Sequence, residues 1–426
     1  MKNNEKLEIE QKNQKTIKRK KINNEGSTFK TSEVIILVLL TCIFSLSFGI
    51  FLQAQTQILK DIKEEPRDEV NNELDEELEE FIENYKNIVG NYYKEIDKKE
   101  LITNAIKGMI DSLDDPYSSY LNEEENANFN ILLMGTYEGI GIQIANDEKG
   151  NIVVLTVFSD SPAAKADLRP GDILLKINDI DLKGKTSDYF ASYVRNSVSK
   201  DFTIIYKRGN KEKNITLKKE KIIIKSVFSK TFNENNKKIG YLRVDTFASN
   251  TYTQFKEELE KLEKDGINSL IIDLRNNSGG HLTVVANMIS LFLDSSHVIY
   301  QTQDKETIEK AYSTGTVTKN YSIVILANKQ SASASEVMIG ALKDEYGAKV
   351  VGEATFGKGT VQELQTISSG DQYKITTKKW LTPSGYWVNE KGIIPDIEIS
   401  LNENYYLNPT EENDNQLQKA LELLKK

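Results

Sequence analysis

The sequence predicts an α/β protein: a strand-and-helix core in the C-terminal half, a small mixed β domain before it, a helical N-terminal segment and one transmembrane helix. Three observations carry this. Beyond residue 238, strand-like runs alternate with helix-length amphipathic runs, the pattern of an α/β core. Residues 131–220 hold short strand-like runs separated by turn signals, as a mixed β domain does. Val34–Phe51, VIILVLLTCIFSLSFGIF, has no charge over 18 residues, enough to cross the hydrocarbon core as a helix.

Residues 1–32 carry nine Lys/Arg, including Lys18-Arg19-Lys20-Lys21, against four Glu. Positive charge stays inside, so residues 1–32 are expected in the cytoplasm, 33–53 in the membrane and the rest outside. A cleavable signal peptide is the alternative. Its apolar core spans about 7–15 residues and ends in a small-x-small site, whereas Leu52-Gln53-Ala54 places leucine where a small residue belongs. The chain has 55 Lys/Arg and 64 Asp/Glu; without residues 1–53, which hold nine and five of these, the external part carries −13. That charge excludes nucleic acid as a partner.

At 426 residues the chain exceeds what one core organises. The single cysteine, Cys42, lies in the apolar segment, so no disulfide and no cysteine zinc site is expected. Two histidines, His281 and His297, are too few for a histidine metal site. Neither a metal nor another cofactor is predicted. Usage rich in Lys, Asn and Ile suggests an AT-rich, bacterial genome.

Residues 54–130 are read as a helical cap or dimerisation segment. Val70, Leu74, Leu78, Phe81, Ile82, Tyr85 and Ile88 recur at helical spacing over 66–90. A second helix follows the capping box Asp97-Lys98-Lys99-Glu100, with Leu101, Ile102, Ala105, Ile106, Met109 and Ile110 as its stripe. In the β domain, strands are expected at 140–145, 152–158, 173–177, 202–206 and 213–218. Ser161-Pro162 starts a helix over 163–167, Arg169-Pro170-Gly171-Asp172 turns the chain, and a helix runs over 188–196. The core, 221–400, alternates strands at 240–244, 269–274, 322–327 and 349–353 with helices at 252–264, 282–292 and 335–343. Residues 401–426 form a polar loop and a short helix bearing Leu417, Ala420, Leu421 and Leu424.

Three core segments carry chemistry. Asp273-Leu274-Arg275-Asn276-Asn277-Ser278-Gly279-Gly280 ends a strand in a glycine turn, where backbone N–H groups can approach a substrate. Ser331-Ala332-Ser333-Ala334-Ser335-Glu336 joins a strand to a helix; alone, Ser333 and Glu336 read as a capping box. Gly352–Thr360 nearly matches a phosphate loop but has Gly359 where the magnesium-binding hydroxyl belongs, and a strand follows where a helix is required. Lys358 between two glycines therefore needs another role. A buried lysine kept neutral can take the proton of a serine, so Ser333 and Lys358 form a candidate pair. A Ser-His-Asp triad using His281 or His297 remains a second arrangement.

DLRNNSGG, ANKQSASASEV and VGEATFGKGTVQ, in this order along the chain, resemble the C-terminal processing peptidases, also called tail-specific proteases. The likeness extends to Asp115-Pro116-Tyr117-Ser118, to Gly139-Ile140-Gly141-Ile142 and Leu168-Arg169-Pro170-Gly171-Asp172 of a PDZ-like domain, and to Gly392-Ile393-Ile394-Pro395-Asp396, covering about residues 70–426. The resemblance implies a core of the crotonase and Clp-protease type. It implies Ser333 as nucleophile, Lys358 as general base, Gln362 holding the lysine, and the N–H groups of Ala334 and Gly279, preferred over Gly280, as oxyanion hole. Ser331 and Ser335 would be structural. His281 departs from the family pattern, which has an aliphatic residue there. Gly139–Ile142 would bind the free C-terminus of a protein substrate as an added strand, opposite the 188–196 helix. The competing readings are a non-catalytic PDZ adaptor and a crotonase-type acyl-CoA enzyme, the latter at odds with an external core.

Overall fold

The computed structural model describes residues 74–367 and 371–425. The expected membrane span lies outside them, and among the described residues no helix is long and apolar enough to cross a membrane. The chain divides into two units, 1–99 and 100–426. The first is represented by helix α1 (Leu74–Asn91), an 18-residue helix on which Leu78, Phe81, Ile82 and Ile88 are exposed.

The second unit is entered through α2 (Lys98–Asp111), which coincides with the expected second helix. Strand β1 (Ser119–Leu121) and helix α3 (Glu123–Met134) follow, and neither is predicted. Asn122 caps α3 by accepting the Glu125 N–H, Glu125 accepts the Asn122 N–H in return, and Gly135 ends the helix at φ 64°. Sequence periodicity misses α3 because its apolar residues form no single stripe.

The β domain comprises β2 (Thr136–Gly139), β3 (Ile142–Asn146), β4 (Ile152–Val157), α4 (Pro162–Lys165), β5 (Ile173–Ile177), β6 (Ile180–Asp181), α5 (Ser187–Asn196), β7 (Asp201–Arg208), β8 (Lys211–Lys218) and β9 (Glu220–Ile223). Its sheet runs β3-β4-β5-β7-β8 with β6 on β5, while β2 pairs with β9. Ser161 caps α4 as predicted, its hydroxyl accepting the Ala164 N–H at 3.1 Å. Ile152, Val154, Leu174, Ile177, Phe190, Phe202 and Ile204 fill the core. Each such burial stabilises by about 1.5–3 kcal/mol. Asp172, buried at the turn, takes the Arg208 guanidinium at 2.7 Å and so ties β7 to the start of β5.

The core contains β10 (Val227–Glu234), β11 (Lys237–Val244), α6 (Thr251–Lys264), β12 (Ser269–Asp273), α7 (Leu282–Ile289), β13 (Val298–Gln303), β14 (Ile308–Tyr312), β15 (Ser322–Ala327), α8 (Ala334–Ala341), β16 (Lys349–Gly352), β17 (Thr360–Thr366), β18 (Gln372–Leu381), β19 (Ile397–Glu398), α9 (Glu403–Leu407) and α10 (Asn415–Leu424). The central sheet has the order β10-β11-β12-β15-β16-β19, parallel except for the β10–β11 hairpin. Helices α6, α7 and α8 cover one face, packing Phe255, Val285, Met288 and Met338 on Leu242, Leu270, Ile272 and Ile325. On the other face, Leu417, Ala420, Leu421 and Leu424 of α10 pack on Ile271, Val324, Leu326 and Val351. Cover on both faces explains why the parallel strands read as continuous apolar runs. A second sheet orders β1-β18-β13-β14, with β17 on β18, so residues read as an N-terminal cap supply its edge.

Candidate active site

The glycine turn, the serine run and the lysine loop follow the carboxyl ends of β12, β15 and β16, which are adjacent and parallel. Loops at those ends converge on one crevice, where open α/β sheets bind ligands. There they line a cleft of about 410 Å³ that includes Ser333, Ala334, Gly279, Gly280, His281, Lys358 and Gln362.

Ser333 stands at the start of α8 with φ 54° and ψ −116°. A non-glycine residue at positive φ is strained, and the sharp strand-to-helix turn that imposes it is how a nucleophilic side chain is lifted clear of its neighbours. The flanking serines hold this turn in place. Ser331 Oγ donates to the Leu274 carbonyl and Ser335 Oγ to the Asn277 carbonyl, each at 2.8 Å and fully buried. The turn is therefore anchored to the glycine loop at two points.

Within that loop Gly279 adopts φ 109°; a Cβ there would stand 3.0 Å from Ser333 Cβ and 3.1 Å from the Ala334 nitrogen. Only glycine leaves this space open. The Gly279 N–H is turned to Asn277 Oδ1 at 2.9 Å, and its carbonyl accepts the Phe247 N–H. Among the described residues no acceptor takes the N–H of Gly280 or of Ala334.

Glu336, fully buried, joins the serine turn to the lysine loop. Its carboxylate accepts from the Ser333 N–H at 2.8 Å, the Lys358 N–H at 2.9 Å, the Gly357 N–H at 2.7 Å and the Thr355 hydroxyl at 2.6 Å. Burial pushes its carboxyl above the ordinary range, against the pull of these four bonds. The capping-box reading found the contact to Ser333 and missed the other three, since sequence spacing does not show what a buried carboxylate meets across the fold.

Lys358 is fixed from both sides, its carbonyl accepting the Trp380 indole N–H at 2.7 Å. Its ammonium lies 4.6 Å from the centre of the Tyr117 ring. Burial, helped by the like charge of Lys374, holds the amine down at about 8, while Asp115 and Glu336 pull the other way. The segment Asp115–Ser118 thus contributes to the site. Asp115, despite the upward push of burial, is kept below its ordinary range by Ser118 and Thr376, whose hydroxyls donate to it.

Gln362 lines the same cleft, and its amide donates to the hydroxyls of Thr360 and Thr376 at 2.9 and 3.0 Å. It is linked to Asp115 through Thr376. A register shift between Val361 and Gln362 turns both toward the cleft, as bulges near functional sites do. His281 starts α7 and binds through Nε2 to Ser249 Oγ at 3.2 Å and the Leu133 carbonyl at 3.1 Å, which ties α3 to the cleft wall. His297 pairs with Glu345 at 2.8 Å and lines no part of the cleft. Among the described residues no acidic, histidine or cysteine cluster is fit to hold a metal.

In the β domain, β3 is an edge strand. Gly141 precedes it at φ 83°, and a Cβ there would stand 2.1 Å from Ser161 Cβ. Asn146 at the far end of β3 accepts the Ser187 N–H at 2.7 Å and so pins the start of α5. At the other end of α5 the Lys219 ammonium donates to the carbonyls of Val194, Arg195 and Ser197, 2.8 Å from the last. Gly139 and Ile140 are buried at the approach to this edge.

Comparison with known proteins agrees with this layout. Residues 238–399 match Peptidase family S41, 139–218 the PDZ domain, and 45–125 the activating protease CtpB N-terminal domain. A "Probable CtpA-like serine protease" of Staphylococcus aureus is 39% identical over 320 residues, covering 74% of this chain and 63% of the relative. That of Staphylococcus epidermidis is 39% identical over 321 residues, covering 74% and 64%. The chain thus spans slightly under two thirds of the length of these relatives. The solved photosystem II D1 C-terminal processing protease is 25% identical, with 81% of this chain and 96% of that one covered at a TM-score of 0.46. The resemblance read from the sequence is borne out as a Peptidase family S41 core with PDZ and CtpB N-terminal domain matches and CtpA-like serine protease relatives.

Proposed function

We propose that the chain is a serine endopeptidase that cleaves proteins near their C-terminus, with Ser333 as nucleophile and Lys358 as general base. The observation that carries this is a lysine whose amine is held at about 8 by burial in the same cleft as a strained serine. Neutral Lys358 removes the Ser333 proton as the oxygen attacks the scissile carbonyl. The resulting oxyanion is received by the Ala334 N–H at the start of α8, where the helix dipole favours negative charge, and by an N–H of the glycine turn. The Gly279 N–H is taken by Asn277, so the N–H offered here is that of Gly280, and Gly279 is the residue that leaves room. Lysine then returns the proton to the leaving amine, and water attacks the acyl-enzyme by the same route. Gln362, with Thr376 and Asp115, orders the wall beside Lys358.

The core is read as the crotonase and Clp-protease type. In the PDZ domain, the free edge of β3 receives the substrate tail, Gly139–Ile142 supply N–H groups to its carboxylate, and α5 forms the opposite wall. Tail binding there opens or aligns the peptidase site. The uncharged segment 34–51 and the basic residues before it support an anchor in the cell membrane with the catalytic part outside. The exposed apolar residues of α1 support contact between two copies.

The test is digestion of casein by the purified chain, compared with Ser333→Ala and Lys358→Ala. Loss of cleavage in both, with unchanged circular dichroism, supports the pair. Cleavage that survives either change places the nucleophile or base elsewhere. Folded wild type that binds tail peptides yet cuts nothing returns the reading to a PDZ adaptor.

A further inference from the structure

The cleft holds a second cation that the proposed reaction does not use. Of its lining side chains only Lys358 and Lys374 are cationic, and no carboxylate lines it. Lys374 lies on β18, opposite Leu364 of β17 and Ser119 of β1. Other lysines of that strand have partners: Lys378 pairs with Glu309 at 3.6 Å, and Lys379 lies over the Trp387 ring at 4.5 Å. Among the described residues Lys374 belongs to no ion pair; its ammonium faces the Phe129 ring at 6.0 Å. Its neighbours in the cleft wall, Phe129 and Leu364, are apolar, and Leu132 and Leu133 line the same cleft. An ammonium against such a wall is complementary to a carboxylate that enters with apolar neighbours, and the lower dielectric strengthens the pair.

We propose that Lys374 is a specificity-determining residue: it pairs with a substrate carboxylate seated in the cleft beside the scissile bond, so that such substrates are cut in preference to neutral isosteres. This rests on the Ser333–Lys358 reading. The carboxylate is either the substrate's own α-carboxylate or an Asp or Glu side chain. Pairing has a second effect, because Lys374 is one of the charges acting on Lys358. The others facing that amine are Asp115 and Glu336, both acidic, with the Tyr117 ring below. A carboxylate on Lys374 offsets a repulsion, so an acidic substrate moves the activity midpoint to higher pH than a neutral one does.

The experiment uses the full-length chain and C-terminally amidated fluorogenic peptides that carry Asp or Asn at successive positions around the scissile bond. Amidation keeps the PDZ domain's preference for a free tail out of the comparison. Wild type is expected to favour Asp over Asn at one position by about tenfold in kcat/KM, the worth of one charge-assisted hydrogen bond near the lower end of its range. Lys374→Gln brings that ratio toward one, Lys374→Arg restores it, and the difference in pH midpoint between the two peptides disappears in Lys374→Gln. Shortened peptides ending at the same position as free acid or amide identify the source. A preference for free acid that is lost in Lys374→Gln assigns the tail carboxylate, and a preference confined to Asp assigns the side chain. Equal Asp/Asn ratios in wild type and Lys374→Gln, with Ser333→Ala inactive, overturn the role of Lys374 alone. Cleavage by Ser333→Ala overturns the underlying Ser–Lys reading as well.

Discussion

Replacing Glu336 by glutamine separates the mechanical from the electrostatic role of the carboxylate that joins the serine turn to the lysine loop. One oxygen accepts from Thr355 and Gly357, the other from Ser333 and Lys358. An amide keeps one acceptor oxygen and turns an NH₂ toward the other pair. The favourable orientation points that NH₂ at Thr355, whose hydroxyl can accept, and leaves only the Gly357 N–H without an acceptor. One orphaned buried donor costs about 1–3 kcal/mol. Glu336→Gln is therefore expected to fold, with an unfolding free energy from urea titration lowered by that amount, and to keep Ser333 and Lys358 in place. Its electrostatic effect runs opposite to most damage. The carboxylate raises the Lys358 pKa, so removing its charge disfavours the protonated amine and lowers that pKa further. Initial rates of casein cleavage should then rise at lower pH in Glu336→Gln than in wild type, even if the plateau is reduced. Glu336→Ala, which leaves all three N–H groups unpaired, should lose cleavage at every pH. A Glu336→Gln profile superimposable on wild type, or displaced to higher pH, refutes the reasoning.

Activity of wild type should rise with pH about a midpoint near 8, because the base must be neutral. Lys358→Arg should abolish cleavage at all pH values without unfolding, since a guanidinium does not lose its proton. Stopped-flow or steady-state rates between mildly acid and alkaline pH check both, and a flat wild-type profile counts against the lysine. Gly279→Ala should reduce kcat by about 10²–10³, the range for loss of an oxyanion donor, because the new Cβ would crowd the Ala334 N–H at 3.1 Å. Near-normal kcat in a folded Gly279→Ala would move the oxyanion site away from this turn.

Much of the site could be read from residue type and order, and what was missed has a physical pattern. Ser333, Lys358, Gln362, Ala334 and Gly279 line one cleft, as a shared function requires. Glu336 was visible only as a cap because its other partners are brought in by β16, about twenty residues on, through a fold that local spacing does not encode. Helix α3 escaped because Phe129 and Leu132 face the cleft without forming a periodic stripe. Strand β17 is legible only as the strand after Gly359, and β18 is not legible at all. Their alternating polar and apolar residues, many half-buried, lack the long apolar runs of the central sheet. Lys374 was hidden with them. His281 was singled out as a departure from the family pattern, and its bond to the Leu133 carbonyl gives it a packing role that depends on α3, itself unpredicted.

The three chemical segments are separated along the chain by whole helices, and each alone has an ordinary explanation as a turn, a cap or a failed phosphate loop. Sheet order is what makes them one site. Because β12, β15 and β16 are neighbours and parallel, their C-terminal loops must emerge side by side, and the helices between them must return along one face. A single antiparallel member among these strands would send one loop to the opposite edge. The chemistry then depends on small distances that the strands alone do not set. Ser331 and Ser335 fix the serine turn to the glycine loop, and Glu336 fixes it to the lysine loop. All these anchors are buried polar contacts, so each constrains position more tightly than apolar packing would and is costly to leave unpaired. If Lys358 acts as the neutral base proposed above, its amine cannot be held by an ion pair. Its backbone is held instead, by Glu336 and Trp380, which leaves the amine free to exchange a proton.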